Sequence, residues 1–426
     1  MRLFVLISLL VLAPLSSAND LIRLGGSARS QASANIAGLS RDPLSALTTN
    51  PAFLSAAGSS QQVNITTLYV DSVFTSSLGE RTRADRGPGL LPEFAFARQR
   101  PNSALSWGGG VVIQSALRAD FELLDPPGTL GVSYGRQPHR SEFIIAKFAA
   151  AAAYQLNPDL SIGASVGLAY NRNRLEAPYI FQSHPGLVGL KVLVDLDSDD
   201  AAATASLGLD YALSDNLNFN LAYTMQTDFA AHGDLDGNLA QLGLGFQEDF
   251  SYDVRVSTAL PASLSAGLIW QASDRLQLAT QIDWVGWERA FDELPISLSN
   301  GSNADLNAFL GEDRIRDTAP LNWEDQRVLH LGGNYILDNS WQLRAGYERS
   351  NVPVPRSTVT PMTAAILNEA YSIGVGIPLI SSWVDIAYRY ITADDYSVLN
   401  SALLGGEYSG TRQSLNLHSL SVSFRF

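Results

Sequence analysis

One pentapeptide in the chain has the spacing of a serine nucleophile. It is the G-x-S-x-G run 131–135, with Ser133 at its centre. In a hydrolase this motif holds the serine on a sharp turn between a strand and a helix, where a histidine can accept its proton. Prolines at 126–127 and at 138 flank the run, so the flanking sequence favours a long loop instead. The pattern therefore favours a chance match and predicts no catalytic residue, with an enzyme as the alternative.

Four aspartates lie close together in another stretch of the chain, and carboxylate oxygens are the ligands that Ca²⁺ prefers. They are Asp195, Asp197, Asp199 and Asp200. The run lacks the fixed-spacing glycine and the terminal glutamate of an EF-hand loop, so a solvated acidic loop is the favoured interpretation. The chain contains 0 Cys, which excludes disulfides, thiol nucleophiles and thiolate metal sites. We predict no metal site and no cofactor.

The start of the chain has the three parts of a secretory signal peptide. Arg2 is the positive flank, residues 3–12 form the apolar core, and small residues at 16–18 suit cleavage after Ala18. The apolar core is too short to span a bilayer, and no later apolar run is long enough for a membrane helix. The formal net charge of −14 makes nucleic acid, with its negative phosphates, an unsuitable partner.

From Gln62 onward, apolar and polar residues alternate with a period of two, the pattern of a β-strand with two different faces. In the last strand Leu420, Val422, Phe424 and Phe426 share one face, and serines and an arginine occupy the other. A soluble sandwich would bury the apolar face, whereas a membrane barrel would turn it to lipid. The alternation alone leaves both architectures open.

The connections between strands decide between these architectures. Short turns such as 157–159 alternate with long connections, and short turns at one end with long loops at the other are typical of outer-membrane barrels. The long connections cover roughly 117–139, 177–201, 228–250, 290–324, 351–368 and 393–411. We predict an all-β fold, a transmembrane antiparallel β-barrel of about 14 strands. The eighth strand, 251–272, is kept whole despite Pro261, because splitting it would give an odd number.

Residues 19–60 differ from the rest of the chain. They are rich in Ser, Ala, Gly and Asn, which suits a compact segment packed inside a larger structure, and a disordered N-terminus is the alternative. Large apolar residues such as Leu44, Phe53 and Leu54 favour the packed segment. The predicted organisation is a signal peptide at 1–18, an N-terminal hatch at 19–60 inside the lumen, and a barrel at 61–426.

Three stretches, taken in order, carry a resemblance to a known family. They are 42–52 (DPLSALTTNPA), 260–291 and 323–355. On these stretches the chain resembles the FadL-type outer-membrane transporters of long-chain fatty acids and other hydrophobic compounds. The resemblance implies a plugged fourteen-stranded barrel and passive uptake. In that route a ligand is caught among outer loops, enters an inner pocket and leaves sideways through a gap at a kinked third strand.

The resemblance also implies site residues. Asn50, Pro51 and Ala52 would form the hatch motif. Gly108, Gly109 and Gly110 of the third strand would form the lateral-gate kink, although the glycines could instead accommodate the hatch or a tight curvature.

Two further ligand contacts are predicted in the outer part of the protein. Four apolar residues at helix-like spacing form a candidate capture groove, or else pack locally: Leu235, Leu239, Leu242 and Phe246. Arg172 or Arg174 would contact a ligand head group, with solvated rim residues as the alternative.

The expected function is passive uptake of hydrophobic small molecules across the bacterial outer membrane. A non-specific or structural barrel is the first alternative, and a lipid-modifying enzyme is the second. The expected partners are a hydrophobic ligand, outer-membrane lipid and the barrel assembly machinery, which would read the C-terminal Phe426. We expect a monomer.

Overall fold

The computed structural model describes residues 26–85, 87–362, 366–393 and 395–426. The predicted signal peptide, 1–18, lies outside these described residues.

The described chain is built almost wholly of β-strands. In chain order they are β1 (Ser60–Thr75), β2 (Arg81–Arg83), β3 (Gly89–Gln99), β4 (Leu105–Leu124), β5 (Arg136–Asn157), β6 (Leu160–Ile180), β7 (Lys191–Ser214), β8 (Leu217–Thr224), β9 (Thr227–Asn238), β10 (Asp249–Leu260), β11 (Ser263–Ser273), β12 (Leu276–Val285), β13 (Glu293–Ser299), β14 (Ile315–Pro320), β15 (Gln326–Ile336), β16 (Gln342–Ser350), β17 (Glu369–Pro378), β18 (Trp383–Thr392), β19 (Tyr396–Val398) and β20 (Thr411–Arg425).

Within the described residues, fourteen of these strands close into an antiparallel barrel, in which β1 pairs with both β3 and β20. The six strands outside this wall are β2, β9, β10, β13, β14 and β19. The prediction of a fourteen-stranded antiparallel barrel is confirmed.

The strand faces point as the alternation predicted. Along the β1–β20 pair, Ile65 and Leu420 are exposed on the outside, whereas Thr66, Ser421 and Ser423 are fully buried on the inside. A barrel in lipid requires this arrangement, because its outer surface meets hydrocarbon while its backbone pairs all the way round.

The predicted eighth strand, 251–272, is wrong in its bounds. It is two strands, β10 and β11, which are separated at Pro261. Only β11 joins the wall, between β8 and β12, while β10 pairs with β9 and β13. Proline has no N–H for the ladder, so the pairing ends there and the chain changes neighbours.

Two predicted long loops are largely strand. The stretch 177–201 contains the end of β6 and the start of β7, and 228–250 contains most of β9. On β7 the outward Asp195 and Asp197 are charged, while Val194 and Leu196 pack inward. The alternation continues here, but its outer face is charged and not apolar, so the sequence pattern resembled a solvated loop.

The described part of the N-terminal segment, from Gly26 onward, lies inside the lumen and is packed there. Its short helices are α1 (Ala28–Gln31), α2 (Ala37–Ser40), α3 (Pro43–Thr48) and α4 (Leu54–Ala57), with a 3₁₀ turn at Pro51–Phe53. Ala28, Ala32 and Ala34 are fully buried, and a Cβ on Gly346 of β16 would come within 2.7 Å of the Ala34 Cβ. Small residues on both sides let the hatch pack this closely.

The remaining helical elements lie in the long connections. They are α5 (Trp287–Ala290), α6 (Ala304–Leu310) and 3₁₀ turns at Ala240–Leu242 and Arg356–Thr358. Among the described residues, no helix has the length and hydropathy needed to cross a bilayer.

Candidate functional site

The strand pairing of the barrel wall is interrupted between β3 and β4. Among the described residues, 94–99 of β3 pair with 106–111 of β4, and these are the only pairs between the two strands. Beyond that point, toward the long connections, the described residues of β3 pair only with β1, and those of β4 pair only with β5. The β4–β5 register also shifts by one residue between Ile113 and Ser115, which is a β-bulge at Gln114. We call this gap the wall opening.

A buried carboxylate bridges the wall opening. Glu93 is the first residue of β3 beyond the last β3–β4 pair. Its Oε1 accepts the backbone N–H of Ile113 at 3.1 Å, and its Oε2 accepts the Gly26 N–H at 2.8 Å and Asn64 Nδ2 at 3.1 Å. A buried N–H that lacks a strand partner needs another acceptor, and Glu93 supplies it.

The three glycines predicted to form the kink lie just below the wall opening. Gly108, Gly109 and Gly110 are paired with both neighbouring strands. A Cβ at Gly108 would lie 2.2 Å from the Phe96 carbonyl oxygen, and one at Gly110 would lie 2.1 Å from that of Phe94. Glycine therefore allows the strands to approach closely here, and the pairing is lost only above Val111. Their assignment as the gate stays a prediction.

An apolar cluster fills the lumen beside the wall opening. This lumen cluster comprises Leu68, Val70, Leu91, Ile113, Ala116, Val285, Trp287, Trp323, Val354, Val359, Ile366, Leu367, Ala370, Ile391, Tyr396, Val398, Leu415 and Leu417. Trp323 lies 5.1 Å from Trp287 and 5.0 Å from Phe291, between ring centroids. Leu91 and Ile113 contribute from the two strands that border the opening.

A concavity of about 850 Å³ lies on the outside of the same wall. Its lining divides into an apolar part, with Leu90, Pro92, Val111, Ile113, Ile144 and Phe148, and a charged part farther toward the cell exterior. Ile113 belongs both to this lining and to the lumen cluster. The inner apolar cluster and the outer concavity therefore meet at one side chain.

Arg172 and Arg174 lie in the charged part of the outer concavity and not in the lumen. Arg172 Nη2 and Arg174 Nε donate to Asp197 Oδ2 at 2.8 Å and 2.9 Å. The structure thus brings the two arginines to the outer side of the wall opening, and the head-group contact stays a prediction. Within the described ranges, no set of three or more His, Asp or Glu side chains is arranged to hold a metal ion.

The four residues of the predicted capture groove do not share a helix. Leu235 is on β9, and one 3₁₀ turn ends at Leu242. All four nevertheless join one apolar cluster of the outer loops, together with Phe250 and Leu306. The cavity at this cluster has only about 20 Å³, while Leu244 and Phe309 are exposed at its edge. The cluster offers an apolar surface with little internal space.

The hatch motif anchors the N-terminal segment to β7 and β8. Asn50 Nδ2 donates to the Leu209 carbonyl at 2.9 Å and to the Leu221 carbonyl at 3.3 Å, while its Oδ1 accepts the Ala52 N–H at 3.0 Å. A Cβ on Gly208 would lie 1.9 Å from Asn50 Oδ1. The Asn50 amide therefore packs directly against the backbone of β7 at Gly208, where a side chain would block it.

A buried charged network packs against the outer side of the hatch. His330 lies 2.9 Å from Asp283 Oδ2 and 2.7 Å from the Ala34 carbonyl oxygen. Arg389 Nη2 donates to Glu348 Oε2 at 2.6 Å. The alternation of residues indicates which strand face is polar. It does not give the register between strands, and the register decides which of these side chains pair. The network holds the hatch through His330 and makes the lumen polar on the outer side of the hatch.

Three outer connections meet at a buried ion cluster. Lys191 Nζ lies 2.6 Å from both Asp125 Oδ1 and the Pro126 carbonyl oxygen, and it also pairs with Glu407. Glu407 lies in the connection 399–410, which this cluster ties across to β7. Burial raises the pKa of Glu407, and the charge of Lys191 opposes that effect in part.

We expect the connection 399–410 to loosen as the pH rises. A carboxyl whose pKa is higher in the folded state stabilises that state while it is protonated, and the stabilisation is lost as the pH rises through the raised pKa. Proteolysis of this connection should therefore speed up between acid and neutral pH, and Glu407→Gln should remove that dependence. Glu312→Gln, at an exposed position, is the control. Equal pH profiles for wild type and Glu407→Gln contradict the prediction.

Ser133 lies in the loop between β4 and β5. Its Oγ donates to the Asp125 carbonyl at 2.6 Å, and β5 begins at Arg136 without an intervening helix. The G-x-S-x-G run therefore lacks the strand-to-helix turn that exposes a nucleophile.

A family model described as outer membrane protein transport protein (OMPP1/FadL/TodX) matches residues 12–426. No curated protein matches the chain. A FadL homologue of Pseudomonas aeruginosa is similar in structure, with a TM-score of 0.76 and 17% identity, over 95% of this chain and 99% of that one.

Two further solved structures are similar. The toluene transporter TodX of P. putida has a TM-score of 0.72 and 22% identity, over 89% of this chain and 93% of that one. The toluene transporter TbuX of Ralstonia pickettii has a TM-score of 0.69 and 18% identity, over 94% and 98%. At these identities the structures establish the fold.

Proposed function

The chain belongs to the outer membrane protein transport protein family (OMPP1/FadL/TodX), and we propose that it takes up hydrophobic small molecules passively and releases them sideways through the wall opening. It is an outer-membrane protein that crosses the membrane with its barrel strands. The observation that carries the proposal is the loss of β3–β4 pairing directly beside the lumen cluster.

The energetics of an apolar cargo support this route. Each CH₂ group that leaves water gains about 0.8 kcal/mol. A path from the lumen cluster past Ile113 to the outer concavity keeps the cargo out of water. The hatch and the charged network on its outer side fill the straight path to the periplasm with packed and polar groups.

The cargo we propose is a hydrophobic small molecule, such as a long-chain fatty acid or a monoaromatic hydrocarbon. Two of the similar solved structures are toluene transporters and one is a FadL homologue. Phe291 stacks on Trp323, and Trp287 packs at a steep angle against both, so the three rings form an aromatic group that suits such a molecule.

We also propose that the chain acts as a monomer and that Phe426 is read by the barrel assembly machinery. The Phe426 side chain is exposed, while its backbone exchanges hydrogen bonds of 2.7 Å and 2.9 Å with Gln61. The side chain is therefore accessible at the end of the closing strand.

A disulfide that locks the hatch tests the route. The Ala28 N–H donates to Ser423 Oγ at 2.8 Å, a contact that keeps the two residues within disulfide reach. The native chain has 0 Cys, so Ala28→Cys with Ser423→Cys makes one defined bond. We expect uptake of a labelled hydrophobic probe to be unchanged between the oxidised and the reduced variant, because lateral release does not require the hatch to leave.

Each other hypothesis gives a different result. Uptake that stops on oxidation and returns on reduction would mean that cargo passes the hatch, and would reject lateral release. Cells in which wild type and empty vector take up the probe equally would favour a structural barrel. Release of fatty acid from a lipid ester that is lost in Ser133→Ala would favour an enzyme.

A further inference from the structure

We propose that Glu93 couples the hatch to the wall opening, so that β4 keeps its displaced course only while the hatch is seated. This inference rests on the proposed lateral release. It assigns to Glu93 a positioning role, because the side chain acts through the backbone of β4 and need not touch the cargo.

Three separate parts of the molecule meet at this carboxylate. Ile113 belongs to β4, Asn64 to β1 and Gly26 to the segment that leads into α1, and all three donate to Glu93. Glu93 is only 2% exposed, so water does not reach it. Loss of one of its donors therefore costs free energy that a water molecule cannot restore. A buried carboxylate of this kind is stable only while its donors remain in place.

The hatch side of the contact is set by the closing strand. Gln31 Nε2 donates to the Gly26 carbonyl at 3.2 Å, and Gln31 Oε1 accepts from Ser421 Oγ of β20 at 2.6 Å. Seating of α1 against β20 therefore fixes the backbone of Gly26, whose N–H then meets Glu93.

At the wall opening, the Ile113 N–H has two possible acceptors, the Glu93 carboxylate and the backbone of β3. The Ile113 N–H has left the β3 ladder and is held by Glu93 at 3.1 Å. If Glu93 turns away, this buried N–H needs another partner, and the register of the β3–β4 ladder puts the Pro92 carbonyl opposite it as the next acceptor. Renewed pairing of β4 with β3 closes the wall. A hatch that is out of place thus favours a closed wall, and the barrel is not left unplugged and open at its side.

Coupling of this kind is reciprocal, and reciprocity provides the test. Ile113→Pro removes the N–H at the opening, and Ile113→Val is the matched control that keeps it. The readout at the hatch is the labelling rate of a cysteine at the buried Ala28, which is unique because the native chain has 0 Cys. We expect Ile113→Pro to raise that rate and to lower uptake, each about tenfold, the factor for one hydrogen bond to a charged group.

A second variant acts from the carboxylate itself. Glu93→Ala should raise labelling and lower uptake as Ile113→Pro does, and the double variant should add little to either change. Glu93→Gln keeps the size and one acceptor, so it replaces Glu93→Ala if that variant does not fold. The heat-induced shift of the barrel in gel electrophoresis reports folding in every case.

The outcomes separate the coupling from the route. If Ile113→Pro lowers uptake but leaves Ala28→Cys labelling at the level of Ile113→Val, Glu93 only satisfies one N–H and the coupling is rejected. If deletion of Gln114 leaves uptake normal, lateral release itself fails. Loss of uptake on that deletion, together with unchanged labelling in Ile113→Pro, rejects the coupling alone.

Discussion

Deletion of Gln114 is expected to reduce uptake to the level of cells that lack the protein, while the barrel still assembles. The β4–β5 register jumps by one residue at this position, so the deletion makes the pairing continuous from Ile113 to Ser115. A β4 without its bulge loses the local bend, so its backbone can come closer to the stretch of β3 next to the last β3–β4 pair, where Pro92 can still accept a hydrogen bond although it cannot donate one. Uptake of a labelled hydrophobic probe in whole cells measures the effect.

The control for this deletion is Gln114→Ala, which keeps the residue count and therefore the bulge. We expect Gln114→Ala to take up the probe as wild type does, and both variants to show the heat-induced gel shift of a folded barrel. Normal uptake by the deletion variant contradicts lateral release through this part of the wall.

Arg389→Met is expected to lower the free energy of unfolding by about 3–5 kcal/mol, the usual cost of leaving a buried charge without its partner. The Arg389 guanidinium is 2% exposed and donates to Glu348 at 2.6 Å, and Glu348 in turn lies 3.2 Å from His330. Urea unfolding of the barrel in detergent micelles measures the loss.

An exposed arginine gives the comparison. Arg275 pairs with Asp338 at a short turn and is 54% exposed, so Arg275→Met should cost less than about 1 kcal/mol. Combining Arg389→Met with Glu348→Gln should recover part of the lost stability, because the carboxylate that has lost Arg389 is then replaced by a neutral amide. Equal losses of unfolding free energy in Arg389→Met and Arg275→Met would show that the buried ion pair contributes no more to stability than the exposed one.

The alternation of residues was enough to predict the barrel and its lipid-facing side. Each strand reports its own two faces through side-chain polarity, as Ile65 and Thr66 do on β1. Pro261 marks a break between two strands. Splitting the predicted eighth strand there does not give the wall an odd number of strands, because β10 lies outside the wall. A count of strands cannot tell which ones belong to the wall.

The wall opening was harder to predict, since it is an absence of pairing between two strands that each look regular. One local signal existed. Pro92 lies within β3 and has no N–H for a ladder bond, and a proline inside a strand indicates an edge. The adjacent Glu93 is a single acid among apolar neighbours. Its three donors come from residues 26, 64 and 113, and only the folded chain brings these together.

The position of the wall opening has a consequence for the direction of flow. If cargo leaves through the wall opening, as we propose, it enters the lipid of the outer membrane, diffuses there in two dimensions and can return by the same path. A passive opening of this kind cannot build a concentration gradient of the cargo, because it has no energy source. Net import is then governed by whatever sink drains the membrane on its inner side, and the protein sets only how fast that balance is reached.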